Sequence, residues 1–142
     1  MTVRLWLAFA MGLALCHAAP ALASEGPTAF TCTFKDGATH VYDKGEFNAE
    51  IPTPLSFGIE SIDPAAQTAD LKTERGTGSL RLVLAVNATH FIEVVTEGSL
   101  HITTVFDKDE AKGAYPAVHS RHFGLMGQPI VAQYQGFCQA KE

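Results

Sequence analysis

Apolar positions recur at every second residue over most of this chain, and that spacing predicts strands rather than helices. The stretch Gly78–Phe106 shows it best. Leu80, Leu82, Leu84 and Val86 alternate with Arg81, Val83, Ala85 and Asn87. His90 to Val95 continues the run, and Glu97-Gly98 fits a two-residue hairpin turn. Leu100 to Phe106 then returns, with Leu100, Ile102, Thr104 and Phe106 on one face and His101, Thr103 and Val105 on the other. Asn87-Ala88-Thr89 makes the first turn. It also fits a glycosylation sequon, but turn chemistry accounts for it.

More strands flank this meander. In Ala29–Phe34, Phe30, Cys32 and Phe34 share a face; Asp36-Gly37 reads as a turn, and Thr39–Tyr42 as a short return strand ending at Lys44-Gly45. Pro52 and Pro54 exclude a helix from Phe47 to Pro54 and confine any strand there to an edge. Leu55–Ile62 alternates until Asp63-Pro64 breaks it, Gln67–Lys72 is a weak strand, and Glu74–Gly78 is a turn-rich connection. Asp107–Gly113 reads as a charged loop, Ala114–Phe123 as a strand, Gly124–Pro129 as a turn region and Ile130–Cys138 as the last strand. About eight short strands at near-regular spacing, with no helix, predict an all-β antiparallel domain. The expected architecture is an up-and-down barrel, with a β-sandwich as the alternative.

The first 23 residues stand outside this pattern. Arg4 precedes an apolar stretch, Leu5–Leu15, and Ala21-Leu22-Ala23 is a small-x-small cleavage box before Ser24. That is the layout of a secretory signal peptide, leaving residues 24–142 as one domain. A rival reading takes Leu13-Ala14-Leu15-Cys16 as a lipoprotein box, which would tether the domain to a membrane through Cys16. That box requires a small residue before the cysteine, and Leu15 is large. The expected setting is the bacterial periplasm or the exterior. No later apolar run is long enough to span a bilayer, so no transmembrane segment is expected.

Loss of Cys16 leaves Cys32 and Cys138, one near each end of the domain. An even pair in an exported chain reads as one disulfide, here joining the first and last strands. A redox site would be signalled by Cys-x-x-Cys, which does not occur. The formal charge of −5 and the scatter of the basic residues argue against a nucleic-acid partner.

Candidate chemistry centres on His119-Ser120-Arg121-His122. Residues three apart on a strand face opposite ways, so His119 and His122 cannot chelate one ion without a bulge. Ser120 lacks the Gly-x-Ser-x-Gly elbow of a nucleophile. Glu93 lies between Phe91 and Val95 on one face, and a two-residue turn at Glu97-Gly98 places Ile102 across from it. If that face is interior, the carboxylate needs a partner, and Arg121 is the natural one. If Ile92 and Val94 face inward instead, Glu93 lies outside. Glu93, His101, His119, Arg121 and His122 are the candidate binding residues. No catalytic residue, metal ligand or cofactor is assigned.

Phe30-Thr31-Cys32, Ala117-Val118-His119-Ser120-Arg121-His122 and Gln133-Tyr134-Gln135-Gly136-Phe137-Cys138 resemble segments of small exported proteobacterial proteins of unassigned function. That resemblance implies a periplasmic setting and no activity. In architecture alone the chain is similar to the periplasmic C-type lysozyme inhibitors, without their inhibitory loop residues. Three functions follow as expectations. The first is a non-catalytic module binding a small molecule or envelope component in a cavity lined by Phe30, Phe57 or Tyr134. The second is a protein-binding module, such as a hydrolase inhibitor whose acidic surface suits a basic partner. The third is a small metal-dependent hydrolase using His119, His122 and Glu93.

Overall fold

A computed structural model of the chain describes residues 26–95, 98–125 and 127–141. The segment read as a signal peptide, with Arg4, Cys16 and the Ala21–Ala23 box, lies outside the described residues, as does Glu97 of the predicted hairpin turn.

The strands are β1 (Phe30–Asp43), β2 (Glu46–Glu50), β3 (Leu55–Asp63), β4 (Thr68–Thr73), β5 (Gly76–Ala85), β6 (Ala88–Val95), β7 (Ser99–Phe106), β8 (Tyr115–Leu125) and β9 (Gln128–Ala140). Every pairing is antiparallel, and β1 pairs with β9 to close the sheet. Eight strands form the barrel wall, and β2 is a ninth laid beside the second half of β1. The predicted barrel is therefore the architecture, rather than the sandwich. Closure gives the wall no unpaired edge, whereas β2, among the described residues, pairs on one side only.

Asp36-Gly37 predicts a turn, but β1 runs through it. The extra residue is absorbed as a register shift between Phe34 and Asp36 against β9. Two glycines make this seam possible. A Cβ on Gly136 would stand 2.1 Å from the Thr33 carbonyl oxygen, and one on Gly37 would stand 2.5 Å from that of Gln133. The chain reverses instead at Lys44-Gly45, both at positive φ (50° and 95°), as a tight hairpin requires. β2 then ends before Ile51–Pro54, where the two prolines interrupt pairing, so it is the edge strand that they predict. The Gly124–Pro129 turn region is also mostly strand, since β8 reaches Leu125 and β9 starts at Gln128.

The interior is apolar at the end where the chain enters and leaves, with Phe30, Ile59, Leu82 and Val105 buried. Cys32 and Cys138 are directly paired across β1 and β9, fully buried and disulfide-bonded, as predicted. Aromatic rings fill the middle. Phe34 stacks on Phe57 at 5.6 Å between centroids, and Phe57 meets His119 at 5.1 Å. The other end, which carries the β4–β5, β6–β7 and β8–β9 turns, is where the polar interior groups gather.

Candidate functional site

Strand alternation delivers four of the five candidate residues to one place. β6 turns Phe91 and Glu93 inward, β7 turns His101 and Thr103 inward, and β8 does the same with Ala117, His119 and Arg121. Glu93 pairs directly with His101, and His101 with Arg121, so the three lie in one row across three strands. This corrects the expected register, which set Glu93 against Ile102. The β6–β7 connection holds three residues rather than two, and one extra residue moves every cross-strand pair by one position.

The partners change accordingly. His101 Nδ1 donates to Glu93 Oε2 at 2.8 Å, and both side chains are 21% exposed. Glu93 therefore takes His101, and not Arg121, as its partner. Its carboxylate lies over β5, where Gly78 leaves room: a Cβ there would sit 2.9 Å from Glu93 Oε1. Arg121 serves His119 instead. Its Nε donates to His119 Nε2 at 3.1 Å, and its guanidinium lies 5.6 Å from the Tyr134 ring centroid.

The state of His119 follows from these contacts. Burial pushes its pKa down to about 3, and the charges of Arg121 and then His101 push the same way. The imidazole is thus neutral. Because Nε2 accepts from Arg121, the proton sits on Nδ1, which donates to Thr103 Oγ1 at 2.8 Å. Thr103 is a member of this network that the sequence does not single out among the candidate residues. Its place between His101 and Val105 was the available signal. Among the described residues, no buried side-chain nitrogen or oxygen lacks a hydrogen-bond partner. A network this complete holds its own members in place.

His122 is not part of the cluster. It points outward from β8, beside Ser120, and borders a shallow pocket of about 370 Å³ with His40 and Gln133. His119 and His122 therefore lie on opposite sides of the wall, so His119, His122 and Glu93 do not meet at one point. Among the described residues, no three His, Cys, Asp or Glu side chains are grouped to hold a metal ion. The interior cavity expected between Phe30, Phe57 and Tyr134 is also revised. Phe30 packs edge-on to Tyr115 at 5.0 Å, while Phe57 and Tyr134 both pack against His119.

A larger concavity lies on the outer face, over β7, β8, β9 and the first half of β1. It measures about 740 Å³, within the range of small-ligand sites. Phe106 and Phe137 line it and are 42% and 41% exposed. Gln135, Gln139, Thr31 and Thr33 supply neutral polar groups around them. The alternation that turns Tyr134 and Cys138 inward places Gln135, Phe137 and Gln139 outside, so this face is legible in the sequence.

No protein family, no curated protein and no solved structure matches this chain. Fold and chemistry together define a disulfide-closed β-barrel with a polar network inside and an aromatic groove outside.

Proposed function

We propose that this chain is a non-catalytic binding module, exported by its amino-terminal signal to the bacterial periplasm, that holds an envelope component or another small molecule on the outside of the barrel. The outer groove carries this reading. It measures about 740 Å³ and leaves two phenyl rings, Phe106 and Phe137, about two-fifths exposed on the outer wall. The disulfide supports export, since such bonds persist in oxidising compartments. The interior supports an outer site because its rings pack on one another.

Periplasmic release of the full chain, followed by native mass spectrometry, tests both parts. Cleavage after Ala23 and an adduct lost on denaturation are the expected results. A Phe137→Ala chain should carry less of that adduct. A full-length cytoplasmic product would defeat export, and the absence of any adduct on the wild-type chain would defeat small-ligand binding.

A second reading rests on the β1–β2 hairpin. Tyr42 and Phe47 pack together at 5.1 Å, outside the barrel, and Phe47 is 56% exposed. Asp43, Glu46 and Glu50 lie on the same hairpin against the single Lys44 at its turn, an acidic balance that suits a basic protein partner, such as a lysozyme-type hydrolase. Slowing of a muramidase by the wild type, and not by Phe47→Ala, would favour this reading over the first.

A further inference from the structure

The lining of the outer groove is specific enough to name a ligand class. Pro116 pairs with Phe137, and Phe137 pairs with Thr33. Phe106 follows Val105, which pairs with Ala117, so Phe106 stands beside Pro116 on the neighbouring strand. Phe106, Pro116 and Phe137 therefore form a row of three rings across β7, β8 and β9. Its outer members are two strand spacings apart, about 10 Å. Gln135 and Gln139 flank Phe137 on the same strand face, each offering an amide donor and an acceptor.

Charge narrows the choice. The groove lining holds one cation, Lys35, and one adjacent anion, Asp36, and a second cation, Lys112, lies over the Phe137 ring. A strongly anionic ligand would lack a cluster of donors, and a purely lipidic one would strand the two glutamines and the threonines against hydrocarbon. A ligand with apolar C–H faces and a rim of hydroxyls meets both halves of this surface. Lys112, with Nζ 5.2 Å from the Phe137 ring centroid, adds a donor at the same ring.

We infer that the groove binds a saccharide chain, with pyranose faces resting on Phe106, Pro116 and Phe137 and hydroxyls bonded to Gln135, Gln139 and Thr33. This rests on the proposed binding function and supplies its ligand class. Two rings about 10 Å apart match two residues of a chain better than one sugar alone.

Amide and side-chain NMR spectra of the mature, oxidised domain, titrated with chitotetraose, cellotetraose and maltotetraose, test the inference. At least one should shift the signals of Phe106, Phe137, Gln135 and Gln139. Phe137→Ala should weaken that binding about tenfold or more, while Phe137→Tyr keeps it, because the ring face is retained. Both substitutions are on the exposed face, and unchanged spectra elsewhere will show that the barrel is intact. Shifts confined to other regions, or equal affinity in Phe137→Ala, would overturn the inference. The small-molecule fraction of a periplasmic extract, freed of saccharides, forms a parallel arm. Groove shifts in that arm alone would reject the saccharide and leave the binding function standing. Silence of the groove in both arms would reject the two together.

Discussion

His119 is the residue at which the interior of this barrel is most sensitive to solution conditions. It is neutral in the folded state, with a pKa of about 3, while an exposed imidazole in the unfolded chain titrates near 6.5. Above the higher value neither state carries the extra proton, and the packed neutral ring contributes its full stability. As pH falls between the two values, the unfolded chain binds a proton that the folded chain refuses, so stability declines. The slope reaches at most about 1.4 kcal/mol per pH unit. Urea unfolding of wild type and His119→Gln across that window should show the wild type losing stability faster as pH falls; parallel curves would refute the assignment. Gly136 is critical for a different reason. Gly136→Ala forces a Cβ against the Thr33 backbone, whereas Gly124→Ala meets nothing closer than 3.8 Å. The first should cost on the order of 1–3 kcal/mol or more and the second little, both read from denaturation midpoints.

Among the elements, β2 differs from the barrel wall. It lies beyond the point where β3 leaves β1, beside a segment of β1 that stays paired with β9 through Val41, and every residue of β2 is exposed. Shortness and a glutamate at each end protect the free edge from pairing with another copy, because an antiparallel partner would set Glu46 against Glu50. β2 should therefore contribute little to folding. Phe47→Ala is expected to change the unfolding free energy by less than about 1 kcal/mol, and Phe91→Ala, at a fully buried wall position, to reduce it by about 3–5 kcal/mol. Comparable losses from the two would show that the hairpin is part of the folding unit. A selective loss of partner binding in Phe47→Ala, with stability preserved, is what the protein-binding reading requires.

For the whole molecule, the decisive feature is closure. The β1–β9 seam joins the ends of the described chain, and the Cys32–Cys138 bond locks it across a sequence separation of 106 residues. In the chain-entropy account, a loop of that length contributes roughly 4–5 kcal/mol by restricting the unfolded state. Cys32→Ser/Cys138→Ser should lower the urea midpoint by an amount in that range, and an unchanged midpoint would show that seam hydrogen bonds alone hold the barrel. Closure also bears on the proposed binding. A wall of eight strands encloses little more than its own side chains, and here aromatic rings and the His119 network occupy the centre. The proposed ligand is therefore assigned to the outer surface, in the groove over β7, β8, β9 and β1.

How much of this was written in the residues follows from what period-two patterning encodes. Alternation marks strands and assigns each residue to one of two faces, which is local information; it correctly set Cys32 beside Phe30 and Phe34, and Cys138 beside Tyr134. The count and spacing of strands, the absence of helix and the even pair of cysteines then sufficed for an all-β domain with its ends joined. Alternation does not say which face is inside when both are apolar, as on β6, and it says nothing of register. Those depended on non-local facts. A three-residue connection set Glu93 against His101, a bulge carried β1 past Asp36-Gly37, and two glycines allowed the seam to close. The outer groove belongs to the same class, since Phe106, Pro116, Phe137 and Thr33 come from four strands that become neighbours only when the sheet is assembled. Pairing between distant segments is decided by the packing of the whole barrel, and no window of sequence contains it.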